Sequence, residues 1–237
     1  PTIVFVGGIH GNEPTGVIAI KQVFEELINA DVPLQGRFIG LAGNMAALGK
    51  NQRFRSEDLN RVWNQAFLKK WSSRGQSVPA ETTIENELDE KKEQLELYSL
   101  IEPLLKNPRF RPRKNTAPQL FFADLHTTSS RSVPFIAIND QIDNRRFGLK
   151  FPVPTVLGIE EHLDGPLLTM LNDEGHVALA FEAGQHDDPE SIQLHKSFIY
   201  LALINAGIID TDAIDGSVSE SIKQHHHRLQ TSGATNR

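Results

Sequence analysis

Hydrophobic residues in this 237-residue chain fall into short runs that alternate with longer amphipathic stretches. Six runs are rich in β-branched or aromatic residues and short enough to be buried strands. They cover residues 3–6, 37–42, 120–123, 133–138, 153–157 and 177–181. Apolar residues at helical spacing follow the first run, from Pro14, and the last run, from Asp188 to a stop at Gly207. This alternation predicts an α/β fold with a mostly parallel or mixed twisted sheet flanked by helices.

A polar insertion interrupts the pattern at about residues 72–118. Residues 72–79 have the composition of a loop, and residues 81–106 form a charged stretch with helical periodicity. Its apolar positions share one helical face: Leu97, Ile101, Leu104 and Leu105. A coiled-coil partner helix is one interpretation. Because the apolar stripe is short, a covering helix with a solvated acidic face is favoured.

The end of the chain, residues 208–237, is polar and includes His225, His226 and His227. Adjacent histidines can bind a metal loosely. The polar surroundings favour a solvated tail instead.

Charge and composition exclude several classes of function. The net charge is −6 and the isoelectric point is near 5.9, so a nucleic-acid or anionic-membrane surface is not expected, although a local basic pocket remains compatible. The chain has no cysteine, which excludes disulfides and thiolate metal ligands. No apolar stretch reaches the length of a membrane span and no signal peptide opens the chain, so a cytoplasmic protein is expected.

The first candidate for chemistry is His10-Gly-Asn-Glu13, which lies between the first strand and the first helix. In an α/β sheet such a turn lies at the carboxyl edge, where ligands bind. An imidazole and a carboxylate three residues apart can both bind a divalent metal. Taken alone, the pair has a simpler interpretation as chance, with the glycines serving the turn.

A second histidine favours the metal site. His126 follows the strand at residues 120–123, so it is expected at the same edge of the sheet. Two histidines and one glutamate form a recurring catalytic zinc site that leaves a fourth position for water. The sequence therefore predicts one zinc ion per chain, held by His10, Glu13 and His126.

Other polar residues suit the surroundings of such a metal. Glu182 closes a buried strand, where an unpaired charge is energetically unfavourable, so it is the predicted general base. Pairing with a surface lysine is the alternative. Asp58 can accept the second ring N–H of a ligand histidine. Asn60 and Arg61 can hold a substrate carboxylate, and Arg53 can stabilise a developing oxyanion.

Four motifs together resemble one family. They are Gly8-Ile-His10-Gly-Asn-Glu13, Asn51-Gln-Arg53-Phe with Asp58-Leu-Asn-Arg61, Asp124-Leu-His126-Thr-Thr and Glu182-Ala-Gly. In this order they resemble the succinylglutamate desuccinylase/aspartoacylase family, which has a zinc carboxypeptidase-like fold. The resemblance implies that His10, Glu13 and His126 bind zinc, that Glu182 is the catalytic carboxylate and Arg53 polarises the carbonyl. It also implies that Asn60 and Arg61 bind the amino acid's carboxylate, with Asp58 supporting His10.

Two departures accompany the resemblance. The Tyr and Arg with which aspartoacylases bind substrate are not found in residues 165–172, and residues 208–237 do not supply the family's usual C-terminal β-rich domain. Residues 1–207 are therefore predicted to be a catalytic domain and residues 208–237 a polar tail. Pro1 in place of Met fits either a removed initiator or a clipped domain.

The predicted function is zinc-dependent hydrolysis of the amide bond of an N-acyl amino acid, a small-molecule substrate. A zinc carboxypeptidase acting on short peptides shares the same chemistry. A non-catalytic protein that binds a metal or a partner through residues 81–106 is the remaining alternative. A base beside the metal argues against it. No oligomeric state follows from the sequence.

Overall fold

A computed structural model describes residues 1–65, 68, 89–113, 116–159, 163–212 and 216–232. In this part of the chain the centre of the fold is a sheet with strand order β2-β1-β3-β6-β4-β5. Its strands are β1 (Thr2–Gly7), β2 (Arg37–Ala42), β3 (Leu120–Thr128), β4 (Phe135–Ile138), β5 (Thr155–Leu157) and β6 (Val177–Gln185). β2, β1, β3 and β6 are parallel, whereas β4 runs antiparallel to β6. The sheet is mixed, as predicted.

Helices cover both faces of the sheet. They are α1 (Thr15–Asn29), α2 (Met45–Leu48), α3 (Asp89–Leu105), α4 (Ile142–Gly148), α5 (Leu167–Asp173), α6 (Glu190–Asn205) and α7 (Gly216–Ser232), with a 3₁₀ turn at Leu59–Arg61. One core lies under α1, α4, α6 and α7, and a second lies under α3, α5 and the 3₁₀ turn. None of the described helices has the length and apolar character required to cross a bilayer.

The central strands continue further than their apolar runs predict. β3 includes His126, and β6 extends past Glu182 to Gln185. His126 and Glu182 are partners in the register between these strands. Backbone pairing continues here because it is independent of side-chain polarity, so the two polar residues lie within the sheet.

The helix of the insertion differs from the prediction in its acidic face. α3 spans Asp89–Leu105, and residues 72–79 and 81–88 lie outside the described residues. Leu97 and Ile101 are buried as expected, but Glu90, Glu93 and Glu102 are buried too. The expected solvated acidic face is therefore wrong in part. Buried carboxylates need hydrogen-bond donors, which for Glu90 come from a neighbouring loop.

The expected solvated tail contains a packed helix. Ile222 and Leu229 of α7 are buried in the core shared with α6. His225 stacks on Tyr200 with 4.6 Å between ring centroids, and its Nδ1 lies 2.8 Å from Ser197 Oγ. The interpretation of His225 as part of a solvated tail is therefore wrong. The division into residues 1–207 and 208–237 stays a prediction.

The packing of α7 predicts a pH-dependent stability. Burial, with a contribution from the Lys196 charge, lowers the pKa of His225 to about 4 from 6.5. Glu26 opposes this shift and Arg228 adds to it. Because the folded state prefers neutral His225, its contribution is present above pH 6.5 and is lost as the pH falls towards about 4.

We therefore expect His225→Gln to destabilise the protein at neutral pH and to matter less in acid. The difference in the free energy of unfolding from wild type should shrink by about 1 kcal/mol per pH unit below pH 6.5. Chemical denaturation of both proteins across this range measures the difference. A difference that does not change with pH would rule out a buried neutral histidine.

Candidate metal and catalytic site

The turn between β1 and α1 brings the first candidate ligands to the carboxyl edge of the sheet. Gly8 adopts φ +72°, a left-handed conformation that favours glycine. A Cβ at Gly11 would lie 2.1 Å from the carbonyl carbon of Ala47, so only glycine lets α2 approach the turn this closely. This close packing buries His10 and Glu13.

Three predicted metal ligands come together around the Glu13 carboxylate. Glu13 Oε1 lies 3.0 Å from His10 Nδ1, and Glu13 Oε2 lies 3.1 Å from His126 Nδ1. One potential ligand atom from each residue lies within 4.8 Å of the others. The Thr127 backbone N–H also donates to Glu13 Oε2, at 2.9 Å. The described residues thus contain a buried His-Glu-His cluster built from the turn after β1 and from the last residues of β3.

The second nitrogen of each histidine ring faces another carboxylate. His10 Nε2 lies 3.0 Å from Oδ1 of Asp58, the residue that the family resemblance implies as its support. His126 Nε2 lies 2.8 Å from Asp124 Oδ2. These carboxylates orient both rings with Nδ1 directed at Glu13. Sequence reasoning gave Asp124 no role, although its position two residues before His126 places both side chains on one face of β3.

The electrostatics of the cluster suit a cation. Burial alone would raise the pKa of Glu13, but the bonds to His10 and His126 outweigh it and hold the pKa well below its usual value. Burial would lower the pKa of His126, yet Asp124 and Glu13 raise it well above 6.5. Three carboxylates, Glu13, Asp58 and Asp124, thus face the two imidazoles and favour positive charge between them. The donor set of two imidazole nitrogens and a carboxylate oxygen fits zinc.

Glu182 lies beside this cluster as the register partner of His126. Its Oε2 is buried and has no hydrogen-bond partner among the described residues. Burial is the main cause that raises its pKa to about 7; His126 opposes the shift, and the charges of Glu13 and Asp124 add to it. The alternative of a surface lysine pair finds no support among the described contacts of Glu182. The side chain can take up and release a proton near neutral pH.

Arg53 reaches the edge of the cluster. Its Nη2 donates to Asp58 Oδ2 at 3.0 Å, and its Nη1 lies 3.5 Å from Glu13 Oε1. The side chain is 43% exposed, which leaves it accessible to a small molecule. Arg53 thus contacts the carboxylates of Glu13 and Asp58 and is also exposed to solvent.

Asn60 and Arg61 lie on the 3₁₀ turn that follows Asp58. Asn60 is buried, and its Oδ1 accepts a hydrogen bond from the Leu167 N–H at 2.9 Å. This bond leaves the Asn60 amide group as the part able to donate to a ligand. Arg61 is exposed and donates from Nη1 to the Asn60 carbonyl at 2.7 Å. The structure brings together His10, Glu13, His126, Asp58 and Arg53 by side-chain contacts. Arg61 is joined to them through its backbone N–H, which donates to the Asp58 carbonyl at 2.9 Å, and no described side-chain contact links its guanidinium to them.

Comparison of sequences identifies the family. The family model described as "Succinylglutamate desuccinylase/Aspartoacylase catalytic domain" matches residues 1–163. A succinylglutamate desuccinylase of Serratia proteamaculans is 34% identical over 65 residues, and one of Yersinia pestis (strain Pestoides F) is 36% identical over 66 residues. These stretches are 27% and 28% of the chain but only 20% of each relative.

Solved structures support the same fold. A succinylglutamate desuccinylase/aspartoacylase from Rhodobacter sphaeroides superimposes with a TM-score of 0.62 at 23% identity, covering 89% of this chain and 56% of that one. A succinylglutamate desuccinylase from Chromobacterium violaceum gives a TM-score of 0.62 at 16% identity, covering 90% and 65%. The chain thus spans little more than half of the Rhodobacter structure. With the sequence match over residues 1–163, it belongs to the succinylglutamate desuccinylase/aspartoacylase family.

Proposed function

We propose that this chain is a zinc-dependent amidohydrolase that removes the acyl group from an N-acyl amino acid. The observation that carries the proposal is the buried His10–Glu13–His126 cluster with the unpartnered Glu182 carboxylate beside it. Family membership supports the same reaction, because the relatives with matching sequences are succinylglutamate desuccinylases.

One zinc ion would be held by the Nδ1 atoms of His10 and His126 and by the Glu13 carboxylate. When bound, it would supply Lewis acidity towards water and the scissile carbonyl. Asp58 accepts a hydrogen bond from His10 Nε2, and Asp124 Oδ2 lies 2.8 Å from His126 Nε2, so both carboxylates favour the tautomer in which Nδ1 is free to bind.

Glu182 would move the proton. As a carboxylate, it takes a proton from the attacking water at its unpartnered Oε2. It then returns that proton to the amide nitrogen as the carbon–nitrogen bond breaks, which releases the free amino acid. Its raised pKa supports this role, because a base with a pKa near the working pH can both accept and release a proton.

The arginines would divide recognition between them. Arg53, held towards Glu13 and Asp58, would stabilise negative charge that develops on the carbonyl oxygen. Arg61 would bind the α-carboxylate with two parallel hydrogen bonds, together with the Asn60 amide group. The exposure of Arg61 supports a role towards a ligand from solvent.

The experiment is a comparison of substrates with the zinc-loaded chain. N-acetyl and N-succinyl amino acids should be hydrolysed faster than short peptides, and each acid faster than its α-carboxamide. Arg61→Lys keeps the charge but loses the planar fork, so kcat/KM for the acid should fall about 10-fold, equivalent to one charged hydrogen bond of about 1.5 kcal/mol. The same variant should lose most of its preference for the acid over the carboxamide.

Arg53→Ala is the matched comparison. It should lower kcat more than it raises KM, because Arg53 acts on charge present in the transition state. Faster hydrolysis of peptides than of N-acyl amino acids would favour the carboxypeptidase. Equal hydrolysis of acid and carboxamide by wild type would remove the carboxylate-binding role of Arg61.

A further inference from the structure

Glu90 is the most heavily hydrogen-bonded carboxylate outside the metal cluster in the described part of the chain. It lies near the start of α3 and is completely buried. Its two oxygens accept five hydrogen bonds from the loop that follows Arg53 and from the start of α2. The donors are Asn44 Nδ2 (3.0 Å), Arg55 N (2.5 Å), Ser56 N (2.9 Å), Ser56 Oγ (2.6 Å) and Glu57 N (3.4 Å).

The loop that Glu90 holds carries two groups of the candidate site at its ends. Arg53 and Asp58 are separated by residues 54–57, and three of these four residues donate backbone N–H groups to Glu90. The ends are tied together by the Arg53–Asp58 ion pair at 3.0 Å. At one end the Arg53 carbonyl accepts from Gly11 N at 3.1 Å, and at the other Asp58 contacts His10.

From this geometry we infer that Glu90 is a positioning residue for the reaction. The Glu90 carboxylate fixes the backbone of residues 55–57 and so holds Arg53 towards the scissile carbonyl; this role rests on the proposed function. Three consecutive N–H groups directed at the two oxygens of one carboxylate favour its ionised form, and the hydrogen bonds hold the pKa of Glu90 at about 2 in spite of burial. Glu90 touches no substrate; it acts through Arg53.

The test uses Glu90→Gln in the full chain. The amide replaces one acceptor oxygen with an NH₂ group that opposes the loop donors, so the loop should loosen. We expect kcat to fall about 10–100-fold, the usual cost of losing an outer supporting group, with unchanged zinc stoichiometry. Glu93→Gln is the matched control. Glu93 lies on the same helix and is buried, but it accepts from Ala46 N instead of the 55–57 loop. It should retain wild-type kcat.

A double-mutant cycle separates positioning from general destabilisation. If Glu90 acts through Arg53, Glu90→Gln should cost little further activity in an Arg53→Ala background. If the two losses simply multiply, Glu90 does not act through Arg53 and the inference is wrong.

Amide hydrogen exchange provides a readout that does not need activity. The N–H groups of Arg55, Ser56 and Glu57 should be protected in wild type and in Glu93→Gln, and should exchange faster in Glu90→Gln. Unchanged exchange in Glu90→Gln would overturn the inference. If wild type hydrolyses no N-acyl amino acid, the proposed function fails, and exchange still decides whether Glu90 holds the loop.

Discussion

Glu182→Gln should slow hydrolysis of an N-acyl amino acid by about 10²–10⁴-fold while one zinc ion per chain remains bound. Gln has nearly the same shape as Glu, but its amide can neither accept a proton from water nor return one to the leaving nitrogen. Glu182 is the partner of His126 across β3 and β6 and has a buried, unpartnered oxygen, so it is placed to exchange a proton beside the ligand cluster. Steady-state kinetics and metal analysis of the same samples measure both quantities.

The pH profile adds a second criterion. Burial raises the pKa of Glu182 to about 7, and activity requires its ionised form, so wild-type activity should fall as the pH drops through the pKa of this carboxyl. A bound cation favours the ionised form, so the fall in the zinc-loaded protein should come below this value. This acid limb should be missing in Glu182→Gln. Wild-type turnover in the variant would assign the base elsewhere, and loss of zinc would make Glu182 a ligand. Glu190→Gln is the control, because Glu190 is an exposed glutamate that pairs with Arg228.

Loss of a metal ligand should have the second large effect. In His126→Gln, zinc affinity should fall, and hydrolysis should fall with it. Loss of a residue that only supports a ligand lowers metal affinity about 10–100-fold, and loss of the ligand itself should cost more. The reason is that the ring nitrogen facing Glu13 is removed and two ligands remain. Calorimetric titration with zinc and elemental analysis give affinity and stoichiometry.

A neighbouring histidine provides the control for this variant. His186 lies just after β6, and its Nδ1 contacts Thr127 Oγ1 at 2.8 Å, but it is outside the ligand cluster. His186→Gln should therefore bind zinc as wild type does. Equal zinc affinity in wild type and His126→Gln would place the metal elsewhere, for example at His226 and His227 of α7.

The sequence was informative about the site where its geometry is local or set by the sheet. His10 and Glu13 share one turn, and the meeting of that turn with His126 and Glu182 follows from the rule that parallel strands present their carboxyl ends at one edge. The chemistry of Asp58 suggested a partner for a ligand histidine, and the family resemblance implied that this histidine is His10. These residues depend on few long-range details, so a pattern of strands and motifs was enough to bring them together.

Other parts could not be predicted because they depend on contacts between distant segments. Glu90 looks like one more acidic residue of a charged helix, and only the fold shows that the donors of a loop 33–35 residues earlier surround it. α7 has few apolar residues, so its composition indicates a tail. Its packing depends on Ile222, Leu229 and the stacking of His225 on Tyr200.

The central claim is that one zinc ion held by His10, Glu13 and His126 makes this chain an N-acyl amino acid hydrolase. Its most direct test is titration of metal-depleted protein with zinc while the release of free amino acid from an N-acyl amino acid is followed. Hydrolysis should appear with added zinc and reach its maximum at one zinc per chain. Hydrolysis that is equally fast without zinc, or no hydrolysis once zinc is bound, would contradict the account.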